Sequence, residues 1–255
     1  SESTKNTIIA PFNDLDSVER IIKRDKLAAV ILEPVMGNVG CILPDDGFLQ
    51  SLREITEDND VLLIFDEIIT GFRLSLGGAQ KLFNVTPDIT TLGKIMGGGL
   101  SIGAIASSKE IMRHFSPLGG VYQAGTFNGN PLSLNAGYTT IQILIKDRIY
   151  NKLNSLRVKI TQGLEDISQC YDLDVKINGI GSMFQIYFTG INVNNYSSAL
   201  KSNKEKFLKF QRGLLNKGVF FPPSQFECNF LSNAHSKSEV DTTIEVFDEV
   251  MSVLK

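Results

Sequence analysis

The stretch DVLLIFDEI, residues 60–68, decides the fold class, because five consecutive apolar residues lead directly into the acids Asp66 and Glu67. A short, continuous apolar run is typical of a strand that is buried on both faces, as in a parallel sheet. LAAVILEPV at 27–35 is a second run of this kind, and its acid is Glu33. Both segments are therefore predicted to be buried strands that end near a carboxylate.

Outward from these two strands, the chain alternates strand and helix patterns. Two more strands are predicted by DITTLGK at 88–94 and LSIGAIASS at 100–108. The segment after Asp45 and GAQKLFNV at 78–85 have helical spacing. Because helices between strands are the crossovers of a parallel sheet, we expect an α/β fold with a mostly parallel sheet and helices on both faces.

The second half of the chain has a different character. Asn130 is a predicted N-cap, and a stripe of Ile and Leu predicts a long amphipathic helix over 149–167. We expect residues 1–148 to be part of a large domain, and residues 149–255 to be a linking helix and a small C-terminal α+β domain. The elements predicted in that small domain are strands at 175–179, 182–189 and near 219–231, a helix at 203–217, and a last helix from Ser236 with Glu239 in a capping box.

The composition argues against several classes of partner. A net charge of −3 gives no basic surface for nucleic acid, and no apolar run is long enough to span a bilayer. The three cysteines have no Cys-x-x-Cys spacing, and the two histidines, His114 and His235, are far apart in the sequence. We therefore expect reduced thiols, a cytoplasmic location, no metal, no nucleic acid and no membrane.

Three predicted strands deliver Glu33, Asp66 and Lys94 to their carboxyl ends, where an open α/β sheet has its ligand crevice. These charges could form a structural ion-pair network or a catalytic site. The spacing of glycines around Lys94 in GKIMGGG matches neither a P-loop nor a dinucleotide motif. A lysine that forms a Schiff base with an aldehyde is the remaining option, if burial or nearby positive charge lowers its pKa. Glycines beside such a lysine would let the backbone approach a planar ring.

A pyridoxal ring also needs an acid that faces its ring nitrogen, and Asp66 fits this role because an apolar strand carries it. LIFDEIITGFR at 63–73, followed by TLGKIMGGG at 91–99, resembles the pyridoxal-phosphate enzymes of fold type I in the aminotransferase class III family. GVYQAGTFNGNPLSLNAG at 120–137 and PSQFECNFLSNAH at 223–235 are similar to the aminomutase branch of that family.

The resemblance implies a role for each matching residue. Lys94 would hold pyridoxal 5′-phosphate, which alternates with pyridoxamine 5′-phosphate, and would later be the base that moves the proton between carbon atoms. Asp66 would pair with the ring nitrogen, and Ile68 would pack against a ring face. Gly125 and Thr126 would bind the cofactor phosphate, from the neighbouring subunit of a homodimer.

Two further residues have lesser implied roles, and Glu33 is expected to be structural. Asn38 would approach the cofactor or the substrate. Glu227 stands where many class III aminotransferases carry an arginine for the substrate carboxylate, and an acid there would favour a substrate amino group. Glu227 could instead be a surface or dimer-contact residue.

The resemblance covers only the later part of the family's sequence. The phosphate-binding loop, the ring-stacking aromatic residue and the substrate arginine of the family precede it. We therefore expect that the N-terminal half of the same enzyme is needed. The implied reaction converts glutamate 1-semialdehyde to 5-aminolevulinate in tetrapyrrole biosynthesis, in the cytoplasm or in a plastid if the protein is from a plant. An ω-amino-acid transaminase and an inactive fragment or dimerisation half are the alternatives.

Overall fold

The computed structural model describes residues 5–254. Its first sheet has four strands in sequence order: β1 (Ala29–Leu32), β2 (Leu62–Asp66), β3 (Ile89–Gly93) and β4 (Gly103–Ser107). The first three strands are parallel, and β4 returns antiparallel to β3. The predicted mixed, mostly parallel sheet is confirmed, and the carboxyl ends of its parallel strands lie at one edge.

Helices make the crossovers of this sheet. Before the first strand lies α1 (Leu15–Arg24), and the crossovers are α2 (Phe48–Asp58) between β1 and β2 and α3 (Gly78–Phe83) between β2 and β3. Leu63 and Phe65 of β2 are fully buried in one cluster with Leu49 and Leu52 of α2 and Val18 of α1. This packing fixes one face of the sheet, because each buried side chain of this size stabilises the fold by about 1.5–3 kcal/mol.

The opposite face of the sheet is open among the described residues. Strand register aligns Ile31 with Ile64, Asp66 with Thr91, and Thr91 with Ile105, so these side chains share that face. Ile31 is 63% exposed and Ile105 is 45% exposed. An apolar sheet face that carries Asp66 at its edge is therefore accessible.

A short 3₁₀ turn, Lys94–Gly97, follows β3. After β4 come α4 (Lys109–Met112), which is a single turn, and α5 (Pro131–Asp147). The Asn130 side chain accepts hydrogen bonds from the backbone N–H groups of Leu132 and Ser133, at 3.0 and 3.3 Å, which confirms the predicted N-cap.

A second, antiparallel sheet in the order β5–β6–β7 forms the rest of the fold. Its largest cluster joins α6 to Phe207, Phe210, Phe221 and Phe247, and the rings of the last three pack edge-on or tilted. Its elements are α6 (Tyr150–Cys170), β5 (Lys176–Ile180), β6 (Met183–Tyr187), α7 (Tyr196–Ala199), α8 (Lys204–Asn216), β7 (Asn229–Phe230) and α9 (Lys237–Met251). None of the helices between residues 5 and 254 is long and apolar enough to cross a membrane.

The small α+β part of the fold is confirmed, with one difference. The strands expected near 219–231 reduce to the two residues of β7. Pro222 and Pro223 lie in this segment, and proline has no N–H group for a strand ladder. The last helix is as predicted, because Ser236 and Glu239 form both hydrogen bonds of a capping box.

Candidate active site

Asp66 ends β2 with its carboxylate held on one side only. Its Oδ1 accepts hydrogen bonds from the backbone N–H of Ile68 and from the hydroxyl of Thr91, both at 3.1 Å. Its Oδ2 accepts none from residues 5–254. One carboxylate oxygen is thus fixed by the protein, and the other is available to a ligand that carries a proton on nitrogen.

Lys94 begins the turn that follows β3, the strand next to β2. Its backbone φ is +46°, in the left-handed region that costs a residue with a side chain about 1–2 kcal/mol. Its side chain is exposed, so residues 5–254 do not provide the burial that the sequence argument requires. Strain of this kind persists where the surrounding structure holds it, and it is common at functional sites.

The three glycines after Lys94 do different things. A Cβ at Gly98, where φ is +59°, would lie 2.7 Å from the carbonyl oxygen of Ala136 on α5. A Cβ at Gly97 would lie 2.8 Å from Ile102 Cγ2, whereas one at Gly99 would meet open space. Close packing against α5 and Ile102 therefore explains two of the glycines, and this contact was not foreseen from the sequence.

Glu67, beside Asp66, was not singled out from the sequence. It is fully buried, and its carboxylate accepts hydrogen bonds from the backbone N–H groups of Ala79 (2.7 Å) and Gln80 (3.0 Å) and from the hydroxyl of Thr70 (2.8 Å). These bonds tie the segment after β2 to the start of α3. In the sequence, Glu67 could be noticed as an acid that follows an apolar strand. Its hydrogen-bond partners could not be predicted, because tertiary structure brings them together.

Glu33 and Asn38 form one local unit after β1. The Glu33 carboxylate accepts hydrogen bonds from the Gly37 backbone N–H at 2.8 Å and from the Asn38 amide at 3.0 Å. A Cβ at Gly37 would lie 2.7 Å from Ile69 Cδ1, so this turn packs against the chain just past Asp66. The geometry brings Asn38 to the same edge of the sheet as Asp66, and Glu33 holds it there.

Glu227 is exposed, in the loop before β7. The adjacent carbonyl of Phe226 accepts a hydrogen bond from the Gly40 backbone N–H at 2.6 Å, which places the loop beside the Asn38 turn. Gly125 and Thr126 are also exposed, in a turn where the Asn128 N–H donates to the Gly125 carbonyl at 3.0 Å. No described contact joins Gly125 or Thr126 to Lys94 or Asp66.

The turn after β1, which contains Asn38, is bonded at Cys41 to the second sheet. The Tyr187 hydroxyl, on β6, is 2.9 Å from the backbone nitrogen of Cys41. Burial raises the pKa of Tyr187, and a hydrogen bond with Cys228, together with burial, raises the pKa of Cys41. Both groups are therefore neutral at physiological pH, and the Cys41 thiol packs as a small apolar residue. Cys228 is buried as well, whereas Cys170 is exposed.

The chain is similar to curated relatives along its whole length. It is 53% identical over 256 residues to a glutamate-1-semialdehyde 2,1-aminomutase of Methanocaldococcus jannaschii, covering 100% of this chain and 60% of that relative. It is 49% identical to the protein of that name from Methanothermobacter thermautotrophicus, covering 100% of this chain and 61% of the relative. The chain therefore spans about three fifths of the length of these relatives.

Solved structures share the fold. An omega-transaminase from Sphaerobacter thermophilus matches 97% of this chain and 57% of its own, with a TM-score of 0.86 and 33% identity. A glutamate-1-semialdehyde-aminomutase from Pseudomonas aeruginosa matches 98% of this chain and 57% of its own, with a TM-score of 0.87 and 26% identity. A variant of that enzyme was solved in complex with PMP.

These likenesses confirm the predicted fold class, the α/β fold of the type I pyridoxal-phosphate enzymes. The family model of aminotransferase class-III matches residues 1–247. This match covers nearly the whole chain, including both acids and the lysine at the strand ends. The chain belongs to the class-III aminotransferase family.

Proposed function

We propose that this chain is the lysine-bearing part of a pyridoxal-phosphate-dependent glutamate-1-semialdehyde 2,1-aminomutase, which makes 5-aminolevulinate for tetrapyrrole biosynthesis. One observation carries the proposal: Asp66 presents a free carboxylate oxygen at the end of β2, and Lys94 follows the end of the neighbouring strand. The names of relatives that are 47–53% identical support this choice of reaction.

The residues at these strand ends fit pyridoxal phosphate. When bound, the cofactor supplies an aldehyde that carries amino groups and a ring that draws electrons from the substrate carbon. The free Oδ2 of Asp66 would accept a hydrogen bond from the protonated ring nitrogen, and Thr91 keeps the carboxylate oriented. Ile68 would pack against a ring face; its Cγ2 is 3.6 Å from the Cβ position at Gly93, next to Lys94.

Lys94 supplies the amine that binds the cofactor aldehyde and then acts as the proton carrier. Its Nζ would take a proton from one carbon and return it to another. The left-handed backbone at Lys94 turns the chain sharply at the end of β3 and so aims the side chain. No external amino donor is consumed, because the cofactor would take back one amino group for each one that it gives.

A neighbouring subunit completes the site in this proposal. Gly125 and Thr126 would bind the cofactor phosphate of the other subunit of a homodimer, and their exposure and the lack of a described contact with Lys94 support this role. Asn38 approaches the cofactor or substrate from the turn after β1. The exposed carboxylate of Glu227 receives the amino group of a diamino intermediate.

The remaining polypeptide of the enzyme is required to enclose the site. The open sheet face with Ile31 and Ile105 and the exposed Lys94 support a covering N-terminal half. In that arrangement residues 1–148 complete the large domain, and residues 149–255 are the linking helix and small domain. The buried, reduced Cys41 and Cys228 support a cytoplasmic location.

An ω-amino-acid transaminase is the second candidate, because the solved omega-transaminase is 33% identical to this chain and the solved aminomutase 26%. Stoichiometric conversion of 2-oxoglutarate to glutamate would favour it. An inactive fragment or dimerisation half is the third, supported by the exposure of Lys94.

The first test is a visible absorption spectrum of the full-length protein with added pyridoxal phosphate, followed by borohydride reduction and peptide mapping. We expect a reducible absorbance band and a pyridoxyl label on Lys94, and production of 5-aminolevulinate without an amino donor. A label on another lysine, or no label, would contradict the assignment.

A further inference from the structure

We propose that Gly137, on α5, is a positioning residue that sets the backbone of Lys94. The inference rests on the proposed function of Lys94 and adds a residue to it that lies outside the strand ends. The feature that carries it is a direct contact between the backbone of α5 and the turn that Lys94 begins.

The first step is the shape of that turn. Lys94 has a φ of +46° and Gly98 a φ of +59°, so left-handed residues stand at both ends of the turn. The Gly98 N–H donates to the Ile95 carbonyl at 3.0 Å, and the Leu100 N–H donates to the Gly97 carbonyl at 3.0 Å. These bonds close the far part of the turn but do not hold it in place on the fold.

The second step is what holds it in place. A Cβ at Gly137 would overlap the carbonyl oxygen of Met96 and would lie 3.9 Å from Gly97 Cα. A Cβ at Gly98 would in turn overlap Thr140 Oγ1 and lie 2.7 Å from the Ala136 carbonyl oxygen. The helix and the turn therefore pack closely at Gly137 and at Gly98, and neither glycine has room for a methyl group.

The third step concerns α5 itself. Its only buried residues within the described part of the chain are Gly137 and Leu144, although the helix has 17 residues. Glycine is a poor residue for the interior of a helix, so its presence at the contact point needs a reason. The contact with the turn of Lys94 is that reason, and the Asn130 cap fixes the helix end that leads to it.

The test uses the full-length protein and four forms of it: wild type, Gly137→Ala, Thr140→Leu and Leu144→Ala. The added methyl group of Gly137→Ala would displace the turn at Met96. The larger side chain of Thr140→Leu would displace it at Gly98 without changing a glycine. Leu144→Ala is the matched control, because it alters a buried contact of the same helix away from the turn. Thermal unfolding identifies the forms that fold.

Two readouts follow Lys94. One is its rate of borohydride-trapped labelling by pyridoxal phosphate. The other is its acylation by acetic anhydride in cofactor-free protein, relative to the exposed Lys81. We expect the rate of pyridoxyl labelling of Lys94 to fall by about 10- to 100-fold in Gly137→Ala and in Thr140→Leu, since a displacement of about 1 Å has effects of that size on an oriented reaction. Acylation needs no fixed orientation, so it should stay at the wild-type rate and show that the amine itself is still reactive. Leu144→Ala should keep the wild-type rates.

The outcomes separate this inference from the function on which it rests. If wild-type Lys94 takes no pyridoxyl label, the proposed function fails, and the inference fails with it. If wild-type Lys94 is labelled, and Gly137→Ala and Thr140→Leu are labelled at the wild-type rate, the inference alone is wrong. An equal loss in Leu144→Ala would also overturn it, because the effect would then be general packing of α5.

Discussion

Thr91 donates a hydrogen bond to Asp66 across two parallel strands, with 3.1 Å between Thr91 Oγ1 and Asp66 Oδ1. The two residues are also register partners, so their side chains leave the sheet on the same face. The hydroxyl occupies one carboxylate oxygen and leaves the other to the ligand. Thr91 is thereby an orienting partner of the proposed ring-nitrogen acid.

Thr91→Val should weaken binding of pyridoxal phosphate by the full-length protein. It removes the hydroxyl at nearly constant shape, and a hydrogen bond to a charged group contributes about 1.5–3 kcal/mol, or about 10- to 100-fold in affinity. Absorbance titration with the cofactor measures the change. Thr90→Val, on the opposite face of β3, is the control and should leave the affinity unchanged. Equal affinities of all three forms would contradict the orienting role.

Lys94→Ala should lose the pyridoxyl label and lower kcat by about 10²–10⁴-fold or more, the range for a positioned proton-transfer group. Lys81→Ala removes an exposed lysine of α3 and should retain wild-type turnover. Turnover to 5-aminolevulinate is measured by product assay. A Lys94→Ala enzyme that turns over at the wild-type rate would exclude this lysine as the proton carrier.

Glu67→Ala should lower the free energy of unfolding by at least about 3 kcal/mol, because each buried donor left without an acceptor costs about 1–3 kcal/mol. The donors are the backbone N–H groups of Ala79 and Gln80 and the Thr70 hydroxyl. Denaturant unfolding measures the loss, and the exposed Glu54→Ala should show almost none. A small change for Glu67→Ala would mean that water replaces the carboxylate.

The capping box of α9 should make the free energy of unfolding depend on pH in the acidic range. Hydrogen bonds from the backbone and side chain of Ser236 lower the pKa of Glu239. A lowered folded-state pKa means that the stabilisation is complete above the unfolded value, about 4.3, and is lost as pH falls through the folded value. The stability advantage of wild type over Glu239→Gln should therefore shrink below about pH 4. Unfolding at a series of pH values, with Glu245→Gln on the same helix as control, tests this.

Glu227→Gln should raise KM for glutamate 1-semialdehyde by about two- to five-fold with little change in kcat, since an exposed ion pair contributes up to about 1 kcal/mol. Glu205→Gln, an exposed acid of α8, is the matched control. Steady-state kinetics distinguish the two. An unchanged KM would assign Glu227 to the surface or to a dimer contact.

The strand ends could be read from the sequence because continuous apolar runs mark both the strands and the acids or lysine that follow them. Asp66 and Lys94 were located in this way, and the N-caps at Asn130 and Ser236 follow from local hydrogen bonding alone. Thr91 was missed, since its pairing with Asp66 depends on the register between two strands that are 25 residues apart.

The triple glycine, residues 97–99, shows a different limit of prediction from the sequence. Its composition indicated close approach, but the sequence offered a planar ring as the neighbour, and the structure offers the backbone of α5. The segment near 219–231 was read as strand from its apolar residues, although Pro222 and Pro223 remove two ladder donors. The partner of the glycines was not encoded locally, whereas the two prolines were visible in the sequence and the strand prediction did not take them into account.

Tyr187 has a mechanical consequence for the enzyme. Its Cζ lies 2.9 Å from where a Cβ of Gly40 would be, and its hydroxyl bonds to the Cys41 backbone, so the turn after β1 is fastened to the central strand of the second sheet. The Tyr150 hydroxyl makes a second fastening, to the Phe72 carbonyl at 3.0 Å. Both hydrogen bonds join the first sheet's loops to elements of the second half of the chain, so sliding one sheet past the other at this seam would have to break them.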